Sequence, residues 1–221
     1  MSDHVALLGD SILDNGAYTS GGPDVVTHLR GMLPAGWRAT LLALDGSLIE
    51  DLEGQLSGLP PDTTHAVVSV GGNNVVMDLD ILKLRVRSEP EALVKLGQRV
   101  AVFERAYRRA INRVLRLARE TAVCTIYTAN LDTEAGAVAM GFTGEEAAAA
   151  LVMLTTFNDV ILRVAFEAKL RVIELRLVCT EPADYANTIE PSIQGGEKIA
   201  RAIVRSLGLA TPSADSSRVY F

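Results

Sequence analysis

The chain has 221 residues, 48% of them apolar and 22% charged, with a formal net charge of -6. That length buries one large core, so a single domain is the simplest reading, and the composition is that of a folded soluble domain, not a disordered or collagen-like one. The acidic balance argues against a partner held by phosphate neutralisation, so no nucleic acid is expected, and no uninterrupted apolar run approaches a membrane span.

Four apolar residues, Val5-Ala6-Leu7-Leu8, read as a first strand buried on both faces, and they run into Gly9-Asp10-Ser11. A Gly/Ser-rich loop, Gly16 to Pro23, leads to a helix over Asp24 to Leu33, with Val25, Val26, Leu29 and Met32 on one face. Trp37 to Leu44 is a second strand ending at Asp45-Gly46-Ser47, and Leu48 to Leu56 carries a short helical pattern. Ala66 to Val70 is a third strand, closed by Gly71-Gly72-Asn73-Asn74, and Val75 to Arg87 reads as an irregular loop or a broken helix. Ser88 and Glu91 around Pro90 open a helix that continues to about Arg119. Ala122 to Tyr127 is the fourth strand, Thr143 with Glu146 opens a helix to about Lys169, Arg171 to Leu175 is the fifth strand, and a last helix begins near Ser192.

Strands and helices alternate five times, which predicts right-handed crossovers and a three-layer α/β/α sandwich around a five-stranded parallel sheet. The folded domain is expected over residues 1–210, with Thr211 to Phe221, rich in serine, as a loose tail. Arg105, Arg108, Arg109, Arg113, Arg116 and Arg119 recur at helical spacing among apolar and acidic neighbours, the pattern of a solvated helix face. Cys124 and Cys179 suit neither a disulfide scaffold nor a metal site and read as small core residues. Met1-Ser2-Asp3-His4 shows no secretory pattern, so the expected location is the cytoplasm.

In a parallel sheet the turns after the strands share one edge, which gathers Ser11, Gly46 and the Gly71 to Asn74 turn around one crevice. A serine there is a nucleophile if donors face the position where negative charge develops; the backbone N–H groups of Ser11 and Gly46 and the amide of Asn73 are three candidates. The plainer alternative is that the glycines only make turns and Ser11 caps the next segment. No Gly-x-Gly-x-x-Gly or Walker sequence supports a nucleotide cofactor, and no His/Asp/Glu cluster has metal-ligand spacing, so neither cofactor nor metal is expected.

Taken together, Gly9-Asp10-Ser11-Ile12, Gly46, Gly71-Gly72-Asn73-Asn74 and the late Glu190-Pro191-Ser192 resemble the sequence blocks of the SGNH hydrolases, the GDSL esterases and lipases, over nearly the whole chain. The resemblance implies a flavodoxin-like sandwich, Ser11 as nucleophile, and Ser11, Gly46 and Asn73 as the oxyanion hole of an enzyme acting on a small-molecule ester. Three positions depart from the family pattern. Asn74 stands where Asp is usual, at a place that supports the turn more than the chemistry. The final Asp-x-x-His is replaced by Asn187-Thr188-Ile189-Glu190, so both the usual base and the acid that orients it are changed.

His4 and His65 precede strands and His28 lies inside a helix, so none is expected beside Ser11. Two readings follow. In one, Glu190 is the general base of a carboxylic ester hydrolase, with its pKa lifted from ~4.3 toward roughly 6 to 7 by burial or by a neighbouring Asp10, Asp14 or Asp184, and with Asn187 orienting it through its amide. In the other, the chain is a degenerate relative that keeps the pocket as a binding or interaction module. The loop segments 75–90 and 131–142, with their Val, Met, Leu and Ala content, are expected either to shape the acyl and alcohol pockets or only to cover the core; substrate identity and oligomeric state are not readable.

Overall fold

The computed structural model describes residues 3–118 and 120–209. The tail read from the sequence, 211–221, and Arg119 lie outside them. Five parallel strands, β1 (His4–Gly9), β2 (Arg38–Leu41), β3 (His65–Ser69), β4 (Glu120–Cys124) and β5 (Arg171–Ile173), form one sheet in the order β2-β1-β3-β4-β5. Seven α-helices cover it: α1 (Val25–Met32), α2 (Leu52–Ser57), α3 (Gly72–Met77), α4 (Glu89–Val114), α5 (Glu134–Ala139), α6 (Gly144–Glu167) and α7 (Ile193–Ser206). The α/β/α sandwich expected from the sequence is what the chain forms.

Period-two alternation divides the strand residues between two cores. Leu8, Ala66, Val68 and Val123 face Phe103, Phe157 and Ile161 of α4 and α6, while Val5, Leu7, Val67 and Cys124 face Leu29 and Ile199 of α1 and α7. Both cysteines are free and buried, as small core residues would be. Helix starts follow the expected chemistry: Ser88, Thr143 and Ser192 each accept a backbone N–H from the first turn. Among the described residues one helix, α6, is long and apolar enough to cross a bilayer by length and composition, yet half of that stretch is buried inside the domain, as in a core helix. The exposed arginine row of α4 is partly neutralised, Arg108 by Glu104 and Glu167 and Arg113 by Glu53.

Boundaries move where side chains replace ladder bonds. The fourth strand stops at Cys124 rather than at Tyr127, because Asn158 of α6 takes over both main-chain groups of Ile126, accepting its N–H at 2.8 Å and donating to its C=O at 2.7 Å. The second strand stops at Leu41, and the N–H of Leu44 instead reaches the Gly9 carbonyl at 3.1 Å. The long helix ends at Val114, five residues before its expected end, and passes into hydrogen-bonded turns at Arg116 and Leu117. The uncertain stretch after the third strand is α3 followed by a 3-10 helix, Asp78–Lys83.

The strand order reverses between β1 and β3, and the crevice outside the carboxyl ends of such a pair is where open α/β sheets bind their ligands. Ser11 follows β1 and Gly71 to Asn74 follow β3, so the fold brings both turns to that crevice.

Candidate active site

The nucleophile turn begins at Gly9, whose φ of +132° and close approach to β3 leave no room for a side chain: a Cβ there would lie 1.7 Å from the Ser69 carbonyl oxygen. The chain then tightens into a turn in which Leu13 and Asp14 donate to the Asp10 carbonyl, both at 3.1 Å, leaving Ser11 nearly buried on the cleft wall. Beneath it Gln55 of α2, itself buried, clamps Gly9 from both sides. It accepts the Gly9 N–H at 2.8 Å, donates to the Gly9 C=O at 2.8 Å, and reaches the Ser47 hydroxyl at 3.2 Å.

The Gly46 loop is held by three anchors. The Asp45 N–H donates to Asp14 at 2.9 Å, the Asn73 amide donates to the Ser47 carbonyl at 3.0 Å, and Asn74 accepts the Ile49 N–H at 3.0 Å. Gly46 itself turns with φ +78° on the exposed rim between these anchors. Among the described residues the N–H groups of Ser11 and Gly46 have no acceptor, and Asn73 keeps one amide hydrogen free of Ser47.

Glu190 arrives from the other side of the cleft, on a loop fixed by its main chain. Tyr127 donates its hydroxyl to the Ile189 carbonyl, Ala186 donates to the Glu190 carbonyl at 2.8 Å, and Asn187 accepts the N–H groups of Ile189 and Glu190, both at 2.9 Å. Asn187 thus shapes the backbone turn through its side-chain oxygen, and among the described residues its amide NH2, the group that could donate to a carboxylate, makes no hydrogen bond to the Glu190 carboxylate. Asn15, fully buried, joins the two halves: it donates to the carbonyls of Pro191 and Ser192 and accepts the Val25 N–H at 2.9 Å.

Burial raises the Glu190 pKa, the Ser11 hydroxyl beside it pulls the value back, and the Asp45 carboxylate adds to the rise. Its Oε2 is buried with no hydrogen-bond partner. Of the three aspartates expected as its neighbours, Asp10 alone shares its electrostatic environment. Asp14 serves the Asp45 N–H. Asp184 is fully buried but turned away: although burial opposes it, Lys198 at 2.8 Å, the Glu181 N–H and Gln194 hold its carboxyl below the usual range. Asp45, which the sequence did not single out, supplies the nearby negative charge.

The histidines stand elsewhere. His4 opens β1, on the order of 20 Å along the strand from Ser11, where it bridges Asp62 at 3.0 Å and Thr40 at 2.8 Å. His65 opens β3 and packs on Trp37, with ring centroids 5.2 Å apart, while His28 lies within α1. Among the described residues no group of three or more His, Cys, Asp or Glu is placed to hold a metal.

No family model and no curated protein matches the chain. Solved structures do. An extracellular lipase from Streptomyces rimosus is 17% identical with a TM-score of 0.64, over 96% of this chain and 100% of that one. An acetyl xylan esterase from Geobacillus stearothermophilus is 18% identical at 0.65, over 96% and 97%, and a phospholipase A1 from Streptomyces albidoflavus NA297 is 14% identical at 0.66, over 93% and 100%. The chain has the SGNH-hydrolase fold. Within that SGNH fold, three of the residues that the sequence blocks singled out, Ser11, Asn73 and Glu190, line one crevice, and Gly46 stands on an exposed loop tied to it through the Asn73–Ser47 bond.

Three buried carboxamides of this SGNH-fold chain, Gln55, Asn15 and Asn158, position its turns and were not singled out in the sequence. A signal existed for two of them: Gln55 and Asn158 are polar residues on the apolar stripe of a helix. Gln55→Leu is expected to leave the buried Gly9 N–H without an acceptor and to lower stability by about 1–3 kcal/mol. Thermal unfolding of the variant against the native chain reads the loss.

Asp10 is nearly inaccessible, and burial lifts its carboxyl from 3.8 to about 7, against the Ile12 N–H at 3.2 Å and with help from the Glu190 and Asp45 carboxylates. A carboxyl raised in the folded state favours folding while protonated. Its contribution is full below the unfolded pKa near ~3.9 and is lost as pH rises through 7, a difference of about 4 kcal/mol. Asp10→Asn keeps the acceptor for Ile12 but never ionises. Its melting temperature is expected to gain on the native chain between pH 4 and pH 8 in scanning calorimetry; a constant difference across that range would contradict the assignment.

Proposed function

We propose that the chain is a carboxylic ester hydrolase acting through an acyl-Ser11 intermediate with Glu190 as general base. The reading is carried by one observation: the Ser11 hydroxyl sits beside a buried carboxylate that has no cation to neutralise it and whose pKa is raised. Such a carboxylate is a stronger base than one in water, and the Ser11 hydroxyl is hydrogen-bonded to it.

Glu190 takes the Ser11 proton as Oγ bonds to the ester carbonyl carbon. The oxyanion that forms faces the free N–H groups of Ser11 and Gly46 and the remaining Asn73 amide hydrogen, donors worth on the order of 3 kcal/mol each in a dry site. The bond from carbon to the alkoxy oxygen then breaks, and Glu190 returns the proton to the leaving alcohol. Water repeats the sequence on the acyl-enzyme: Glu190 takes its proton, the acid departs, and Ser11 recovers its hydrogen. The SGNH fold shared with esterases and lipases supports the reaction class. A fluorophosphonate probe at neutral pH should add once to the native chain, with peptide mapping placing the adduct on Ser11; no adduct over hours overturns the reading in favour of a binding module.

A further inference from the structure

Beside Ser11 the crevice deepens into a cleft with about 760 Å³ of empty space, its open mouth included. It runs past the ends of β3 and β4, under α3, to α6. Its inner walls are Val70, Val75, Leu79, Ile126 and Leu154. Among the described residues the charged groups that line it are Asp10 and Glu190, both acids, with no Lys, Arg or His beside them. Its single aromatic ring, Tyr127, has its hydroxyl committed to the Ile189 carbonyl.

Resting on the hydrolase reading, we propose that this cleft is an acyl pocket for unbranched aliphatic acids of medium length, so that neutral esters of such acids are preferred over acetyl esters. The chemistry of the walls leaves little choice. A sugar ring would lose its water and gain few partners: of the polar side chains lining the cleft away from its mouth, Thr125 is committed to Glu174 and the Leu175 N–H, and Ser69 is bonded to Cys124. An anionic acyl group would face two carboxyls and no cation. An acetyl group would reach only the mouth and leave the apolar walls uncovered, whereas each further methylene buried there contributes about fourfold in binding. From Ser11 after β1 to Ile126 after β4 is two interstrand spacings, about 10 Å, roughly the reach of an eight-carbon chain given C–C bonds of ~1.5 Å.

The test is kcat/KM of the native protein on p-nitrophenyl esters from acetyl to dodecanoyl. It should climb about fourfold per methylene to an optimum near six to eight carbons. Two variants at the α6 wall should move that optimum in opposite directions: Ala150→Leu toward shorter chains, Leu154→Ala toward longer ones. If either fails to fold, the native series still decides. A profile that is flat or highest at acetyl, with Ser11 labelled by the phosphonate, overturns the acyl pocket and leaves ester hydrolysis standing. No turnover on any ester together with no adduct overturns the hydrolase reading itself.

Discussion

Ser11→Ala is expected to remove the phosphonate adduct completely and to lower ester turnover by at least about 10³-fold. The substitution deletes one oxygen from a nearly buried position whose turn is closed by main-chain bonds to Asp10, so the fold should be untouched. What remains is the oxyanion pocket, which in serine proteases stripped of their triad still gives about 10³ to 10⁴ over water. The second consequence concerns Glu190. Its pKa is held back by the Ser11 hydroxyl, so losing that hydroxyl should raise it further. Intact-mass spectrometry reads the first effect; the carboxyl stretch of Glu190 in difference infrared spectra, followed across pH, reads the second. A variant that still takes up the probe would mean that another side chain is the nucleophile.

Glu190→Gln is expected to slow acylation of Ser11 by about 10² to 10⁴-fold, the usual worth of a positioned general base. Glutamine matches glutamate in shape, and the loop that carries it is held by Asn187, Tyr127 and Ala186 through main-chain atoms, so geometry should persist. The pH dependence separates a base from a structural support. A base must be ionised to accept a proton, so the native rate should rise with pH through the raised pKa of Glu190, while the small residual rate of the variant should lack that limb. Rates of phosphonate uptake measured between pH 4 and pH 8 decide it. A Gln variant that labels as fast as the native chain places the base elsewhere.

The layers, the parallel sheet and the gathering of Ser11 and Asn73 at one crevice were legible because they depend on patterns local to each strand and the glycine turn after it. The rest depends on partners distant in sequence. The early end of β4 is decided by Asn158, more than thirty residues later, and the arrest of β1 at Gly9 by Gln55 and Ser69. α3 was missed because its cap, Gly71, has φ +116° and reads as a turn, while the six residues that follow are too few for a stripe. Asp184 was expected among the neighbours of Glu190, but Lys198 on α7, two residues past Gly196, holds it instead. Asp10 was legible as a residue of the turn, yet the extent of its burial was not.

Most side chains that set the positions of Ser11, Gly46 and Glu190 through the hydrogen bonds described are carboxamides, with the phenol of Tyr127 and two carboxylates, Asp14 on the Asp45 N–H and Asp10 on the Ile12 N–H, beside them. Amides do not titrate, and the buried phenol of Tyr127 is pushed far above its ordinary range. The amide part of the framework is therefore electrically silent in mild acid and mild base, while the two acids beside the cleft, Asp10 and Glu190, both have raised pKa values. An active site relying on imidazole stops when the imidazole takes up a proton; under the proposed function this crevice would have no such proton to gain, and its response to acid would follow the carboxyls of Asp10 and Glu190.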